Sequence, residues 1–124
     1  MLTPREIADE EWLSQCGQRK QQRPWNFQSA PRPGKEPPEL DVSMILGRLT
    51  PEEAELAAFG PRSSDRRRAV RHVKVRDLRA AGFRVEHTPR LGTPDHVSVF
   101  WDGEGLWDVT VSASLNDCCT EGEA

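Results

Sequence analysis

The run from Gly82 to Trp101 constrains this chain more than any other. Phe83, Val85 and His87 alternate with polar residues, and Val97, Val99 and Trp101 recur at every second position. Period two puts each set on one face of an extended strand. Between them, Thr88-Pro89 to Thr93-Pro94 supplies two prolines and Gly92, which suit a loop and break a helix. The pattern predicts two strands paired antiparallel across a Gly/Pro loop.

Leu40-Asp-Val-Ser-Met-Ile-Leu46 alternates in the same way and predicts a half-buried strand. Leu49 then precedes Thr50-Pro51-Glu52-Glu53, a helix start with an N-cap, a first-turn proline and a capping-box glutamate. That helix carries Leu56 and Phe59 and ends at Gly60-Pro61. The same start signal occurs at Thr3, Pro4 and Glu6, with Leu2 and Ile7 spaced as a hydrophobic staple. It predicts a helix ending near Gly17, with a narrow stripe of Ile7, Ala8, Trp12 and Cys16. From Ser64 to Ala81 the period is helical, with Val70, Val73, Leu78 and Ala81 on one side. Val73 and Val75 also fit a short strand before a turn over Asp77–Ala81. Asp102-Gly103-Glu104-Gly105 suits a hairpin turn. Trp107, Val109 and Val111 then supply a return strand, and a tail from Cys118 frays.

Residues 18–39 are polar and rich in proline, which favours extended backbone. The resulting expectation is an α+β fold: a small antiparallel sheet of three or four strands, two or three helices, and an extended N-terminal arm. Residues 1–39 form the helix and arm, 40–117 the α+β domain, and 118–124 a flexible tail. A chain of 124 residues is normally one domain with one modest core.

The net charge of −3 hides an asymmetry. Residues 62–90 hold ten Arg/Lys against three acids, while residues 91–124 hold seven acids and no Arg or Lys. The simplest expectation is that these segments face each other in the fold, since screening limits attraction beyond about 8–10 Å. The sharper alternative is a nucleic-acid surface made by Arg66, Arg67, Arg68, Arg71, Arg76 and Arg79. The three cysteines, Cys16, Cys118 and Cys119, form no C-x-x-C pair and no disulfide framework. With an acidic N-terminus and no apolar span, the expected setting is a reduced cytoplasm without membrane contact.

Chemistry, if present, is expected at His87, Asp95 and His96, which bracket the Gly/Pro loop. Histidine titrates near neutrality and suits acid–base work, and Asp95 could orient one ring. The pair would also supply two metal ligands, with Glu86 or Asp95 as a third. No H-x-H or H-x-x-x-H spacing supports that, so no metal and no cofactor are expected. His96-Val-Ser98 matches one H-x-S/T element of two-histidine phosphoesterases, but His72-Val-Lys74 and His87-Thr-Pro89 do not supply the second. Walker, G-x-G-x-x-G and G-x-S-x-G motifs are absent. Aromatics in a proline-rich segment, Trp25 and Phe27, together with Trp12 on the narrow stripe, are candidates for contact with a partner.

Pro31-Arg32-Pro33, Glu39-Leu-Asp-Val-Ser43, Thr50-Pro-Glu-Glu-Ala54, Leu78-Arg-Ala-Ala-Gly-Phe83 and Thr93-Pro-Asp-His-Val97 together resemble small uncharacterised bacterial proteins associated with defence or conflict gene clusters. The resemblance covers residues 31–97, about half the chain, and brings no catalytic residues. It implies a small accessory component beside a larger enzyme or sensor. The expected function is therefore a cytoplasmic protein-interaction subunit that binds a larger partner through its N-terminal arm. The alternatives are a small hydrolase or nuclease using His87 and His96, and nucleic-acid binding through residues 62–90. On this expectation, removal of residues 1–38 leaves the strand-rich domain folded but removes its main interaction.

Overall fold

Alternation becomes register wherever one face of a strand meets the core. In the computed structural model, which describes residues 3–20, 23–33, 39–60 and 69–121 (the backbone alone for 18–20 and 23–26), the alternating segments form adjacent strands. The elements are β1 Trp12–Lys20, β2 Arg23–Asn26, β3 Arg32–Pro33, β4 Leu40–Leu46, α1 Pro51–Phe59, β5 Ala69–Lys74, α2 Val75–Ala80, β6 Phe83–His87, β7 His96–Trp101, α3 Val109–Cys118 and β8 Thr120–Glu121. The sheet runs β6-β7-β4-β1-β5-β8, with β2 added to β1 and β3 to β4. Every pairing is antiparallel.

The register stacks apolar side chains across the sheet. Phe83 faces Trp101, Val85 faces Val99, and Val99 in turn faces Val42. Leu13 lies opposite both Leu46 and Val73. These residues join Leu78 of α2 and Val111 and Leu115 of α3 in one core. Leu13, Leu78 and Leu115 are fully buried, and each stabilises the fold by about 1.5–3 kcal/mol. The other face of the sheet carries Ser14, Ser43, His72, His96 and Ser98. There the loop before α1 is tied down: Ser14 Oγ donates to Gly47 O at 2.6 Å and accepts from Leu49 N at 2.9 Å. His72 Nε2 donates to Leu49 O at 2.7 Å.

The α+β class holds, but the sheet is wider than three or four strands. Six strands form its continuous path, because segments expected to be helix or tail are strands. Residues 3–8 have no regular structure despite the Thr3-Pro4 signal. Trp12–Lys20 is β1, the strand between β4 and β5. It pairs with β5 from Trp12 to Gly17 and with β4 at Leu13 and Ser14, while buried Ser14 and Gln15 find hydrogen bonds that a solvated helix would not need. Gly17, expected to stop a helix, sits within β1.

The segment 18–39 is not simply an arm, since β2 and β3 pair with the sheet; Pro37 and Pro38 lie outside the described residues. Within the expected 64–81 helix, residues 69–74 are β5, as the alternative strand reading of Val73 allowed, but Val75 begins a helix that runs to Ala80 and does not extend the strand. Residues 61–68 lie outside the described residues.

The expected return strand at Trp107–Val111 is instead the start of α3. Asp108 accepts from the backbone N–H of Thr110 and Val111, each at 3.0 Å, and so caps a helix. The expected tail continues this helix to Cys118, and Thr120 then pairs with His72 in β8. By contrast, β4, β6 and α1 lie where alternation and capping place them. The capping box at Thr50 and Glu53 is complete. The N-terminus of α2 is held by backbone: Val75 N donates to Glu11 O and Arg76 N to Asp9 O, both at 3.0 Å. This contact fixes the otherwise irregular segment before β1.

Candidate functional site

The loop between β6 and β7 places the two histidines differently. His87 lies opposite Val97 in the register, so its ring and that of His96 belong to opposite faces of the sheet. His87 Nε2 lies 2.8 Å from Pro94 O, and Nδ1 lies 3.1 Å from Arg5 N. A carbonyl only accepts and an amide N–H only donates, so the proton sits on Nε2 and Nδ1 accepts. Both nitrogens are thus engaged with backbone, and the ring clamps the N-terminal segment to the loop.

His96 is 5% exposed. Its Nδ1 lies 3.0 Å from Thr88 O and 2.8 Å from Thr88 Oγ1, which in turn is 2.8 Å from Ser98 Oγ. The carbonyl again assigns the proton, here to Nδ1. Nε2 is therefore an unprotonated acceptor. It is buried and, among the described residues, has no hydrogen-bond partner. Burial holds the ring's pKa below the ordinary histidine value, and the charge of Arg90 pushes the same way. Asp95 is exposed, and its backbone carbonyl accepts from Leu46 N at 2.9 Å. Among the described residues its carboxylate orients neither imidazole.

Beside His96 the sheet opens. The strands β1 and β4 are in register at Leu13–Leu46 and Ser14–Ile45. Beyond that, Gln15 Nε2 spans the gap, donating to Gln28 O at 3.0 Å and Ser43 O at 3.3 Å. A groove of about 1030 Å³ follows this splay, with His96, Arg32, Arg90, Ser43, Phe59 and Trp107 in its walls. A second groove of about 1490 Å³ shares Arg32, Ser43 and Arg90 but adds Glu6, Asp41 and Glu86.

The described part of the basic segment is largely used inside the molecule. Arg71 is 5% exposed and donates to Gln15 Oε1, Asn116 Oδ1, Gln28 O and Ser29 Oγ. Arg76 pairs with Glu10 at 2.6 Å and Arg79 with Asp9 at 2.5 Å. Arg84 pairs with Glu39, Glu86 and Asp102. The compensating acids therefore come mostly from the N-terminal part, with Asp102 from the acidic third. Arg66, Arg67 and Arg68 lie outside the described residues.

The aromatic candidates also have internal contacts. Trp12 is half-buried, with Arg48 and Lys74 cations 5.0 and 5.6 Å from its ring centroids. Phe27 packs on Gly17 and receives Arg71 at 5.0 Å. Trp25 has its backbone in β2, and its side chain lies outside the described residues.

Thr88 and Arg32 escaped the sequence reading, and Ser98 entered it only as part of the His96-Val-Ser98 element. The alternation that places Ser98 beside His96 on one face was visible, but no local signal joins Arg32 to that face. Among the described residues no group of three or more His, Cys, Asp or Glu is placed to hold a metal ion. No described helix is long and apolar enough to cross a membrane. Comparison of the chain with protein-family models, curated proteins and solved structures gives no match.

Proposed function

We propose that this protein is an accessory interaction subunit that binds a larger protein, in keeping with the resemblance to small components of bacterial defence clusters. The observation that carries the reading is the turn before α3. Leu106 is 87% exposed and Val109 is 84% exposed, on either side of half-buried Trp107. Turns and helix starts favour polar residues, which satisfy free backbone groups. Two aliphatic side chains held in water there stabilise nothing within the chain, and they are suited to burial against a partner. This surface is favoured over an N-terminal arm because Trp12 and Phe27 already have partners within the fold.

The test is quantitative co-purification from native cells of the tagged chain, Leu106→Asp/Val109→Asp and Trp25→Ala. The double variant should lose its specific partner by tenfold or more while its melting temperature stays within a few degrees. Full retention of the partner by the double variant removes this reading. Loss in Trp25→Ala alone returns the contact to the N-terminal segment.

A further inference from the structure

Three polar groups belong to residues that line the groove beside β4. The first is His96 Nε2, an acceptor that is buried without a donor among the described residues. The others are the guanidinium groups of Arg32 and Arg90. Among the described residues neither is within ion-pair distance of an acid, although Arg5, Arg76, Arg79 and Arg84 all are. The acid in the described lining of this groove is Asp108, whose carboxylate is committed to the α3 cap, while Asp41 stands opposite Arg32 in the β3–β4 register. The second groove contains three acids and is less suited to an anion.

A buried acceptor without a donor costs about 1–3 kcal/mol, which a ligand N–H or O–H removes. Guanidinium groups recognise phosphate through paired N–H donors. Phe59 and Trp107 add aromatic surface, and a volume of about 1030 Å³ accommodates a ligand of several hundred daltons. An anion alone would leave Nε2 unsatisfied, and a neutral donor alone would leave the arginines unused. We propose that this groove binds a small phosphate-bearing ligand with an N–H donor, of the class of the mononucleotides. The phosphate lies against Arg32 and Arg90, and the donor reaches His96 Nε2. The inference goes beyond partner binding: Val109 lines the groove as well as the exposed turn, and nucleotide binding by the chain alone tests the groove separately from any protein contact.

The experiment titrates the full chain, labelled with nitrogen-15, with AMP, GMP, CMP, UMP and inorganic phosphate. At least one nucleotide should bind saturably and move the His96 Nε2 resonance, and inorganic phosphate should bind tenfold or more weakly. His96→Asn keeps a donor near the Nδ1 position for Thr88 O but deletes Nε2. It should weaken nucleotide binding tenfold or more, as should Arg90→Ala. No saturable shift with any of the four nucleotides overturns the proposal, as does binding unchanged in the folded variants. Phosphate bound as tightly as the best nucleotide would reduce the site to a simple anion site and likewise overturn it. If His96→Asn does not fold, the wild-type Nε2 resonance and Arg90→Ala decide: an unmoved resonance or undiminished binding rejects the site.

Discussion

The ring of Phe27 lies over Gly17 so closely that a Cβ at position 17 would stand 2.7 Å from its Cε1. Gly17 is therefore a clearance within the central strand, and Phe27 fills it. Glycine ordinarily weakens a strand, and a close approach of this kind is one reason it is kept.

Gly17→Ala should cost about 1–3 kcal/mol, because the ring or the strand must shift. Phe27→Leu in the same chain should recover part of that loss, since the smaller side chain relieves the overlap. Urea denaturation of the two single variants and the double variant checks this. Strictly additive losses would show that the two residues do not press on each other.

Acid stability should depend on Glu11. Its carboxylate accepts from Arg5 at 2.6 and 3.0 Å and from Ala8 N at 2.7 Å. The Arg5 hydrogen bond, aided by the Ala8 amide, lowers its pKa from the ordinary 4.5 to about 2. A carboxylate with a depressed folded pKa stabilises the fold above its unfolded value, and that contribution is lost as pH falls from about 4.5 to about 2. Solvent screening at this partly exposed pair keeps the contribution within about 1 kcal/mol. Glu11→Gln should flatten the stability–pH curve in that window, measured by thermal melts from pH 6 to 2. An unchanged curve would place the acid sensitivity elsewhere.

The legible parts of the sequence were those where one structural pressure acted alone. In β4 and β6, each with a core side and a polar side, the alternation survives. The Thr50–Glu53 cap is local chemistry and needs no tertiary partner. In β1, Leu13 and Ser14 are both fully buried, so alternation by polarity disappears even though the strand is central. The β-branched run Val109-Thr110-Val111 favours a strand by propensity, but the Asp108 cap and burial of Val111 and Leu115 on one helical face prevail. The candidate site was half legible. The residues flanking the loop named His87 and His96, while the sheet register separates their rings and leaves Thr88 and Ser98 beside one of them.

Removal of residues 1–38 should now unfold the chain. It deletes β1, the element that joins β4 to β5, and exposes the apolar surface under Leu13. It also removes the Glu11 and Asp9 carbonyls that hold the start of α2. Circular dichroism and a cooperative thermal melt of the fragment 39–124 provide the test. A cooperative melt near that of the full chain would show that β4 and β5 close the sheet without β1.

Arg71 should need its guanidinium shape as much as its charge. It is buried and, among the described residues, has no acid within ion-pair distance. Four neutral acceptors surround it, and two of these, Gln28 O and Ser29 Oγ, belong to the segment after β2. Burial lowers its pKa, against the attraction of Cys119 and Glu121, yet a guanidinium stays charged throughout the range in which proteins fold. The side chain thus fastens the 27–30 segment to β1, β5 and α3 with a fan of donors fixed in one plane. Lysine keeps the charge but concentrates its donors at one atom, leaving some acceptors unpaired and the buried charge poorly solvated. Arg71→Lys should cost about 2–4 kcal/mol. Methionine leaves the acceptors unpaired but removes the buried charge, so Arg71→Met should cost less than the lysine variant. In both, the amides of Gln28–Ala30 should exchange hydrogen faster, while those of β6 and β7 keep their protection relative to global stability. A lysine variant as stable as the native chain, with unchanged exchange at 28–30, would show that charge alone holds the segment.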